Sequence, residues 1–524
     1  MTLNNFENYP SYEQWKKIGN KPRHGINLPL SALHSKNSCG IGEFFDLIPL
    51  IDWCSLVGFD VIQLLPLNDS GSDPSPYNAI SSCALNPIYI SLHKLPGAKV
   101  PPIPPNNSPR FIYNDIQSLK LNFLRNYCEN FGENFIQEKS FKNFFKNNSW
   151  LKYYSLFKVL KDRLGQNSWM SWPEELKKPD YEALFEKHAD EMLIYILIQY
   201  LASEQLLEVK KHASSKNILL QGDIPVVISP DSSDTWMKPE LFDFSLAVGA
   251  PPDAYAPEGQ YWGFPIFNWD IIKKEDFNWW KTRLEVASHY YDIYRIDHAV
   301  GFFRLWAIPL GKSAKEGRFI PENPALWLPQ GEEILNMMLK ASSMLPIAED
   351  LGTVPPSVRE CLQRLGICGT KVMRWERNYE TDKSFIPLSE YPEVSLTTLS
   401  THDSETLQLW WQNPLSEAKD FANFKGWTYS PDLSFSQRLD ILKDSHHTKS
   451  LFHINLLQEY LALFPELSWP NPLDERINIP GTVTPSNWTY RFCPSLEEII
   501  SHKPLRDVIQ NFRLNHCGRI PASS

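Results

Sequence analysis

The chain has 524 residues, of which 42% are hydrophobic and 21% are charged, and this balance of a core-forming globular protein excludes extended disorder. The formal net charge of -10 argues against a polyanionic partner such as nucleic acid, because binding to phosphates depends on basic side chains. A neutral substrate fits this charge better.

Short apolar runs rich in Val, Ile and Leu recur along the chain and alternate with helical stretches, which is the pattern of a parallel sheet. There are eight such runs, and eight parallel strands are the number that closes a barrel. In chain order the predicted strands are 24–30, 59–66, 217–228, 291–298, 345–350, 369–375, 394–403 and 475–481. The sequence therefore predicts an α/β protein built as a (β/α)8 TIM-type barrel.

The intervals between the predicted strands differ greatly in length, which indicates insertions into a single catalytic barrel domain spanning residues 1–524. Residues 95–215 contain Lys, Asn and aromatic residues at helical spacing and are predicted to form a helical insertion, which includes a Pro-rich connector at 100–107. Residues 229–280 are dense in Pro, Gly and aromatic residues and predict a loop insertion over the active site. A further helical insertion is predicted at 405–474.

The sequence predicts neither secretion nor membrane insertion. The start, MTLNNFENYP, lacks a basic segment followed by an apolar one, and no apolar run approaches the roughly 18 residues of a membrane span. The eight cysteines are scattered without the paired spacing of a zinc site. We expect a cytoplasmic protein with reduced thiols, without a membrane partner and without a metal or other cofactor.

Four of the predicted strands carry a carboxylate at or near their ends. These residues are Asp223 in ILLQGD, Asp297 in IYRIDH, Glu349 in LPIAED and Asp403 in LTTLSTHD. Acidic residues are depleted from strands because a buried charge is costly. Since the active site of a barrel lies at the carboxyl ends of its strands, the four side chains predict one shared, solvated pocket.

Two of these carboxylates suit the cleavage of a glycosidic bond with retention, which needs a nucleophile and an acid/base about 5 Å apart. Arg295 lies two residues before Asp297 on one strand face, so we expect its charge to keep Asp297 ionised as a nucleophile. Glu349 lies in an apolar run, where burial is expected to raise its pKa toward that of a general acid. Asp403, beside His402, is a candidate to grip sugar hydroxyls and stabilise the transition state.

Two other interpretations use the same residues. His298 and His402 beside carboxylates suggest metal-assisted hydrolysis, but no His-x-x-x-His pair accompanies them. Each carboxylate taken alone can instead cap a helix or pair with an arginine. Three together favour a catalytic role.

Longer motifs along the chain resemble those of a known family. In order they are GIGEF, SPYNAISSCALNP, QGDIPVVISPDSSDTW, APPDAYAPEGQYWGFP, YRIDHAVGFFRLW, IAEDLGTVPPSV and STHDSETLQLWW. From about residue 23 to past residue 488 the chain resembles the amylomaltases, which are 4-alpha-glucanotransferases and are also called disproportionating enzymes. The resemblance implies an α-amylase-like (β/α)8 barrel with inserted subdomains and without a separate C-terminal β domain.

The resemblance also implies roles for individual residues. Asp297 would be the nucleophile, Glu349 the acid/base and Asp403 the stabiliser of the transition state. The residues implied to bind the reacting sugar are Tyr77, Asp223, Arg295, His298, His402 and Asn487. For Asn487 a turn before Trp488 is an equally good interpretation. The loop at 250–265 is a candidate lid, in which Tyr255, Tyr261 and Trp262 would stack on acceptor sugars.

The implied activity is the transfer of an α-1,4-glucan segment from a donor to the 4-hydroxyl of an acceptor glucan or glucose, through an ester on Asp297 and without a cofactor. Maltooligosaccharides, amylose and glycogen-derived chains are the implied substrates. Two alternatives are a retaining α-amylase-type hydrolase with the same three carboxylates and a glucan-binding protein without catalysis. We expect a monomer or a weak homo-oligomer.

Overall fold

The computed structural model describes residues 6–100, 106–252, 256–379, 381–413 and 417–512. Within these ranges the chain forms twelve strands. They are β1 (Arg23–Leu28), β2 (Val61–Leu64), β3 (Leu219–Ile224), β4 (Phe242–Ala250), β5 (Gln260–Phe267), β6 (Ile293–Ile296), β7 (Leu305–Pro309), β8 (Arg318–Ile320), β9 (Leu345–Ala348), β10 (Cys368–Val372), β11 (Ser395–Thr398) and β12 (Phe452–Leu456).

Eight of these strands close into a parallel barrel in the order β1-β12-β11-β10-β9-β6-β3-β2. Every residue of β2, β6, β9, β11 and β12 is buried, as expected where helices cover the outside and side chains fill the interior. From residue 457 to Phe512, the last described residue, the chain forms helices, turns and loops and no strand. The predicted (β/α)8 barrel is confirmed.

The eighth strand does not lie where the sequence predicted it. Residues 475–481 form the end of a 3₁₀ turn and a loop, whereas β12 at Phe452–Leu456 closes the barrel between β1 and β11. That strand lies inside the range 405–474, which was predicted to be helical. Its sequence, FHINL, runs directly into the helix Leu457–Leu461. A fully buried strand joined to a buried helix has no alternating pattern to reveal it.

Helices cover the outside of the barrel and occupy its long connections. In chain order they are Tyr12–Ile18, Leu47–Val57, Tyr113–Ile136, Lys139–Asn147, Trp150–Arg163, Glu174–Lys177, Tyr181–Lys187, Ala189–Ser215, Ser233–Met237, Trp269–Lys274, Asn278–Ser288, Trp327–Ala341, Pro356–Leu365, Leu407–Gln412, Ala418–Phe424, Phe435–Ser445, Leu457–Leu461, Leu496–Ser501 and Lys503–Gln510. The described part of the connection between β2 and β3 contains six of them. We refer to residues 106–215 as the helical connection.

The longest helix, Ala189–Ser215, ends the helical connection and leads into β3. Its length and its mean hydropathy of 1.3 over 18 residues are those of a membrane span, but 72% of that window is buried inside the protein. The helix packs against Tyr113–Ile136 and Trp150–Arg163. Its apolar residues are therefore used in packing the core.

A second sheet, which was not predicted from the sequence, is built from two connections of the barrel. Its four antiparallel strands have the order β5-β4-β7-β8. Strands β4 and β5 follow β3 and occupy much of the range 229–280, which was predicted as a loop, and β7 and β8 follow β6. Both connections leave the carboxyl ends of barrel strands, so the second sheet lies on the side of the barrel where the carboxylates are.

Candidate active site

The four predicted carboxylates all lie at the carboxyl end of the barrel. Asp223 is the penultimate residue of β3, while Asp297 directly follows β6 and Glu349 directly follows β9. Asp403 lies five residues beyond the end of β11. Because β3, β6 and β9 are neighbours in the barrel, their parallel register brings the first three carboxylates to the same level.

Arg295 on β6 links these three carboxylates. Its Nη1 donates to both oxygens of Asp223, at 2.9 and 2.7 Å, and to Oδ1 of Asp297 at 2.9 Å. Its Nη2 lies 2.9 Å from Oε2 of Glu349. The register explains the pairing, since Asp223 of β3 lies opposite Arg295 of β6. A guanidinium presents its donors in a rigid plane, so Arg295 holds the carboxylates in fixed orientations.

His298 adds a backbone contact to this cluster. Its φ of 44° is left-handed, a conformation that non-glycine residues adopt at a cost and that is concentrated at functional sites. This turn directs the His298 N–H to Oε2 of Glu349 at 2.7 Å. Burial lowers the pKa of the His298 imidazole, so the ring is neutral at physiological pH.

The pKa values of the central pair differ from the expectation drawn from the sequence. Burial, together with the negative charges of Glu349, Asp223 and Asp403, raises the pKa of Asp297 well above its usual value, against the attraction of Arg295. Burial also opposes ionisation of Glu349, but Arg295 and the His298 N–H outweigh it and lower the pKa of Glu349. The expected directions are reversed, because contacts remote in sequence decide them. Asp297 and Glu349 interact closely, so they titrate as one coupled pair.

Asp403 is held by a loop rather than by a strand. The Asn478 amide donates to Oδ1 of Asp403 at 2.7 Å, and the Arg476 guanidinium donates to the Asp403 carbonyl oxygen at 3.1 Å. His402 Nε2 lies 3.4 Å from Oδ2. Burial raises the pKa of Asp403, but His402, the Asn478 amide and Arg295 together lower it to about 2. Asp403 is therefore ionised throughout the neutral range.

We call residues 475–491 the clamp loop. The side chains of Arg476 and Asn478 belong to the site, yet both residues were predicted to lie on the eighth strand, which was wrong. Their assignment depends on knowing that this segment reaches back to Asp403, and no local pattern in ERINIPG indicates it.

A cluster of packed aromatic rings lies beside Asp223. The Tyr77 hydroxyl donates to Oδ2 of Asp223 at 2.8 Å, and the Tyr77 ring stacks on His402 with centroids 5.2 Å apart. Trp488 packs against Tyr77 at 5.3 Å and against His402 at 5.7 Å. Trp488 has a left-handed φ of 64°, so the clamp loop adopts an unfavourable conformation where it places this ring. Rings of this kind suit the C–H faces of a sugar.

The remaining predicted residues have different placements. The side-chain amide of Asn487 donates to the Thr482 carbonyl oxygen at 2.9 Å and accepts from the Thr484 hydroxyl at 3.1 Å, so it orders its own loop, as the turn interpretation requires. Trp262 on β5 packs edge to face against His298 with centroids 5.0 Å apart. Tyr255 lies outside the described residues. Tyr261 is 51% exposed.

The arrangement is able to carry out retaining chemistry. Asp297 and Glu349 contact Nη1 and Nη2 of one guanidinium, so their carboxyl groups lie side by side, as the nucleophile and the acid/base of a retaining glycosidase do. Their side chains are 20% and 21% exposed, so a substrate can reach both. Within the described ranges, no group of three or more His, Cys, Asp or Glu residues has the arrangement of a metal site.

The family of this chain follows from its similarity to known proteins. A model of the 4-alpha-glucanotransferase family matches residues 28–496. The chain is 47% identical over 513 residues to a 4-alpha-glucanotransferase of Chlamydia pneumoniae, which covers 96% of this chain and 97% of that protein.

Two solved structures share the fold. An amylomaltase from Streptococcus agalactiae in complex with acarbose superposes with a TM-score of 0.78 at 25% identity, covering 94% of this chain and 99% of that one. An amylomaltase from Corynebacterium glutamicum has a TM-score of 0.77 at 20% identity, with 96% and 76% covered. With the family match over most of its length, the chain belongs to the 4-alpha-glucanotransferase family.

Proposed function

We propose that the protein transfers segments of α-1,4-glucans from a donor chain to the 4-hydroxyl of an acceptor glucan or glucose, with retention of configuration. The observation that carries the proposal is the pairing of Asp297 and Glu349 through Arg295, with Asp403 ionised beside them. Family membership favours transfer over hydrolysis. Maltooligosaccharides, amylose and glycogen-derived chains are the proposed substrates, and a cytoplasmic location stays a prediction.

In the first step, a carboxylate oxygen of Asp297 attacks the anomeric carbon of the donor sugar. The bond from that carbon to the glycosidic oxygen breaks, the leaving oxygen takes the proton of Glu349, and a glycosyl ester forms on Asp297. The mechanism requires the proton of the pair to reside on Glu349 when a donor is bound. Arg295 contacts both carboxylates, so it stabilises the negative charge on whichever of them is ionised.

In the second step, the Glu349 carboxylate takes the proton of the acceptor hydroxyl, whose oxygen attacks the anomeric carbon and breaks the ester. Asp403 stabilises the positive charge that develops on the sugar in both transition states, because it is ionised and fixed by Asn478. Tyr77, Asp223, His298 and His402 are proposed to bind the sugar at the point of attack. Each step uses side chains of this chain alone.

Incubation with maltotriose tests this proposal. Transfer produces glucose together with longer oligosaccharides while the total number of reducing ends stays constant, because each cleaved bond is replaced by a new one. Hydrolysis raises the number of reducing ends. A rise in proportion to cleavage would support the hydrolase, and the absence of any product would contradict a catalytic function.

A further inference from the structure

We infer that Arg110, at the start of the helical connection, is a positioning residue for Asp403 and acts through the clamp loop. The inference rests on the proposed role of Asp403 in the transition state. It assigns part of the catalytic geometry to a segment that directly follows the Pro-rich connector and lies nearly 300 residues before Asp403 in the sequence.

A short backbone pairing joins the helical connection to the clamp loop. Arg110 and Tyr490 form an isolated antiparallel bridge. On either side of it, the Phe111 N–H donates to the Thr489 carbonyl oxygen at 3.0 Å and the Arg491 N–H donates to the Pro109 carbonyl oxygen at 3.0 Å. The two segments are therefore held in a fixed register.

The Arg110 side chain also contacts the clamp loop. Its Nη1 donates to the Arg476 carbonyl oxygen at 2.8 Å, and its guanidinium lies over the Tyr490 ring, 5.7 Å from the centroid. Tyr490 in turn donates its hydroxyl to Oε2 of Glu475 at 2.5 Å. Arg110 thus bridges both ends of the clamp loop, at 476 and at 490.

Arg476 connects the clamp loop to Asp403. The Arg476 guanidinium donates to the carbonyl oxygens of Asp403, at 3.1 Å, and of Asn478, at 2.7 Å. The Asn478 amide donates to the Asp403 carboxylate, and the Asn478 N–H donates to the His402 carbonyl oxygen at 3.2 Å. A shift of Arg476 therefore moves the donors that orient Asp403.

Asp403 depends on these contacts more than the other carboxylates do. Its side chain is 42% exposed, and it follows β11 only after an irregular segment, whereas Asp223 lies within β3 and its side chain is fully buried. Displacement of a catalytic group by about 1 Å can cost about a hundredfold in rate. Loosening the clamp loop should therefore lower catalysis without removing any group that contacts the substrate.

The test uses Arg110→Met, which keeps much of the apolar stem and removes the donors, Arg110→Lys, which keeps a donor, and a matched control. Arg125→Met is the control, because Arg125 lies on the same helical connection and covers the Tyr195 ring at 5.4 Å, yet it pairs with Asp162 at 2.5 Å and not with the clamp loop. The measurements are kcat and KM for maltotriose per folded protein, and the thermal midpoint.

We expect Arg110→Met to lower kcat by about tenfold to about a hundredfold with KM changed by less than about twofold, and Arg110→Lys to recover part of the loss. Arg125→Met should lower the thermal midpoint with kcat unchanged. Unchanged kcat in Arg110→Met, or an equal loss in Arg125→Met, would overturn the inference. If Arg110→Met does not fold, Arg110→Lys is combined with Asn478→Ala. Wild-type kcat in Arg110→Lys, together with a loss of kcat in the double variant equal to that of Asn478→Ala alone, would overturn the inference.

Failure of the proposed function gives a different result. If the wild type does not disproportionate maltotriose, the proposal on the activity is wrong and the role of Arg110 falls with it. If the wild type is active and the Arg110 variants keep its kcat, only the role of Arg110 is wrong.

Discussion

At the scale of single residues, the guanidinium of Arg295 positions three carboxylates of the site. Arg295 contacts Asp223, Asp297 and Glu349 at once, so three carboxylates share one positive charge. Burial and the neighbouring carboxylates raise the pKa of Asp297, whereas Arg295 and the His298 N–H outweigh burial and lower the pKa of Glu349. The macroscopic pKa values belong to the pair of Asp297 and Glu349 and not to either residue alone.

The residues around each carboxylate in the sequence identified the catalytic candidates, but they did not predict which of the carboxylates have raised or lowered pKa values. The motifs placed Asp297, Glu349 and Asp403 at strand ends, and the structure brings them together. The pKa directions were wrong because the His298 N–H and the second Arg295 contact decide the pKa of Glu349. Neither contact can be read from LPIAED. Arg476 and Asn478 were missed as site residues for the same reason, since they lie more than 70 residues after the carboxylate they hold.

At the scale of elements, the second sheet brings Trp262 against His298, at the edge of the site. We expect Trp262→Ala to raise the ratio of hydrolysis to transfer before it lowers total cleavage, because an acceptor sugar stacked on this ring would displace the competing water. A stacked ring contributes about 1 kcal/mol, so the ratio should rise about fivefold. Released reducing ends measured against free glucose from maltotriose give this ratio.

The comparison needs a ring outside the site. Phe145, which is 37% exposed on the helix Lys139–Asn147, provides the control Phe145→Ala. An unchanged ratio in Trp262→Ala, with stability and total activity falling together, would indicate that the ring only packs the second sheet onto the barrel. Tyr255→Ala extends the test to the predicted lid residue outside the described ranges.

The barrel strands and the strands of the second sheet differ in how clearly the sequence predicts them. Seven barrel strands were recognised because turns and loops bound their apolar runs, whereas β12 merged with the helix that follows it. The second sheet was missed for a different reason. Strands β4 and β5 pair with register shifts between Asp243 and Ala247 and between Ala247 and Gly249, and such bulges disturb the alternation that marks a strand.

At the scale of the whole molecule, three histidines lie buried where barrel strands begin. His24 of β1 stacks on His453 of β12 with centroids 4.8 Å apart, and Nδ1 of His24 lies 3.0 Å from Nδ1 of His446. Burial lowers the pKa of His453 to about 4. Burial also lowers the pKa of His446 well below its usual value, and the neighbouring histidines lower it further.

This cluster predicts a loss of stability in mild acid. A histidine with a usual pKa near 6.5 in the unfolded chain and a lower one in the folded protein binds more protons when unfolded, so stability falls as pH drops below about 6.5. For His453 the loss between about pH 7 and about pH 5 is on the order of 2 kcal/mol. We expect His453→Gln to reduce the change in unfolding free energy between about pH 7 and about pH 5 by this amount, measured by urea titration at each pH.

Other groups titrate in the same pH range, so the pH dependence of unfolding free energy in the variant is compared with that of the wild type. Burial raises the pKa of Asp46 to about 6 and that of Glu475 to about 7, but both are common to the variant and the wild type. His289→Gln, at an exposed histidine, is the matched control. Equal slopes in His453→Gln and the wild type would contradict the prediction.

The central claim, transfer through an ester on Asp297, is tested most directly by trapping that ester. Glu349→Gln removes the acid and the base, but a fluoride leaving group needs no acid, so an α-maltotriosyl fluoride donor should form the ester and leave it unresolved. Mass spectrometry of the digested protein should find the glycosyl mass on the peptide containing Asp297, and none when Asp297→Asn is added. An ester on another residue, or Glu349→Gln converting maltotriose at the wild-type rate, would contradict the account.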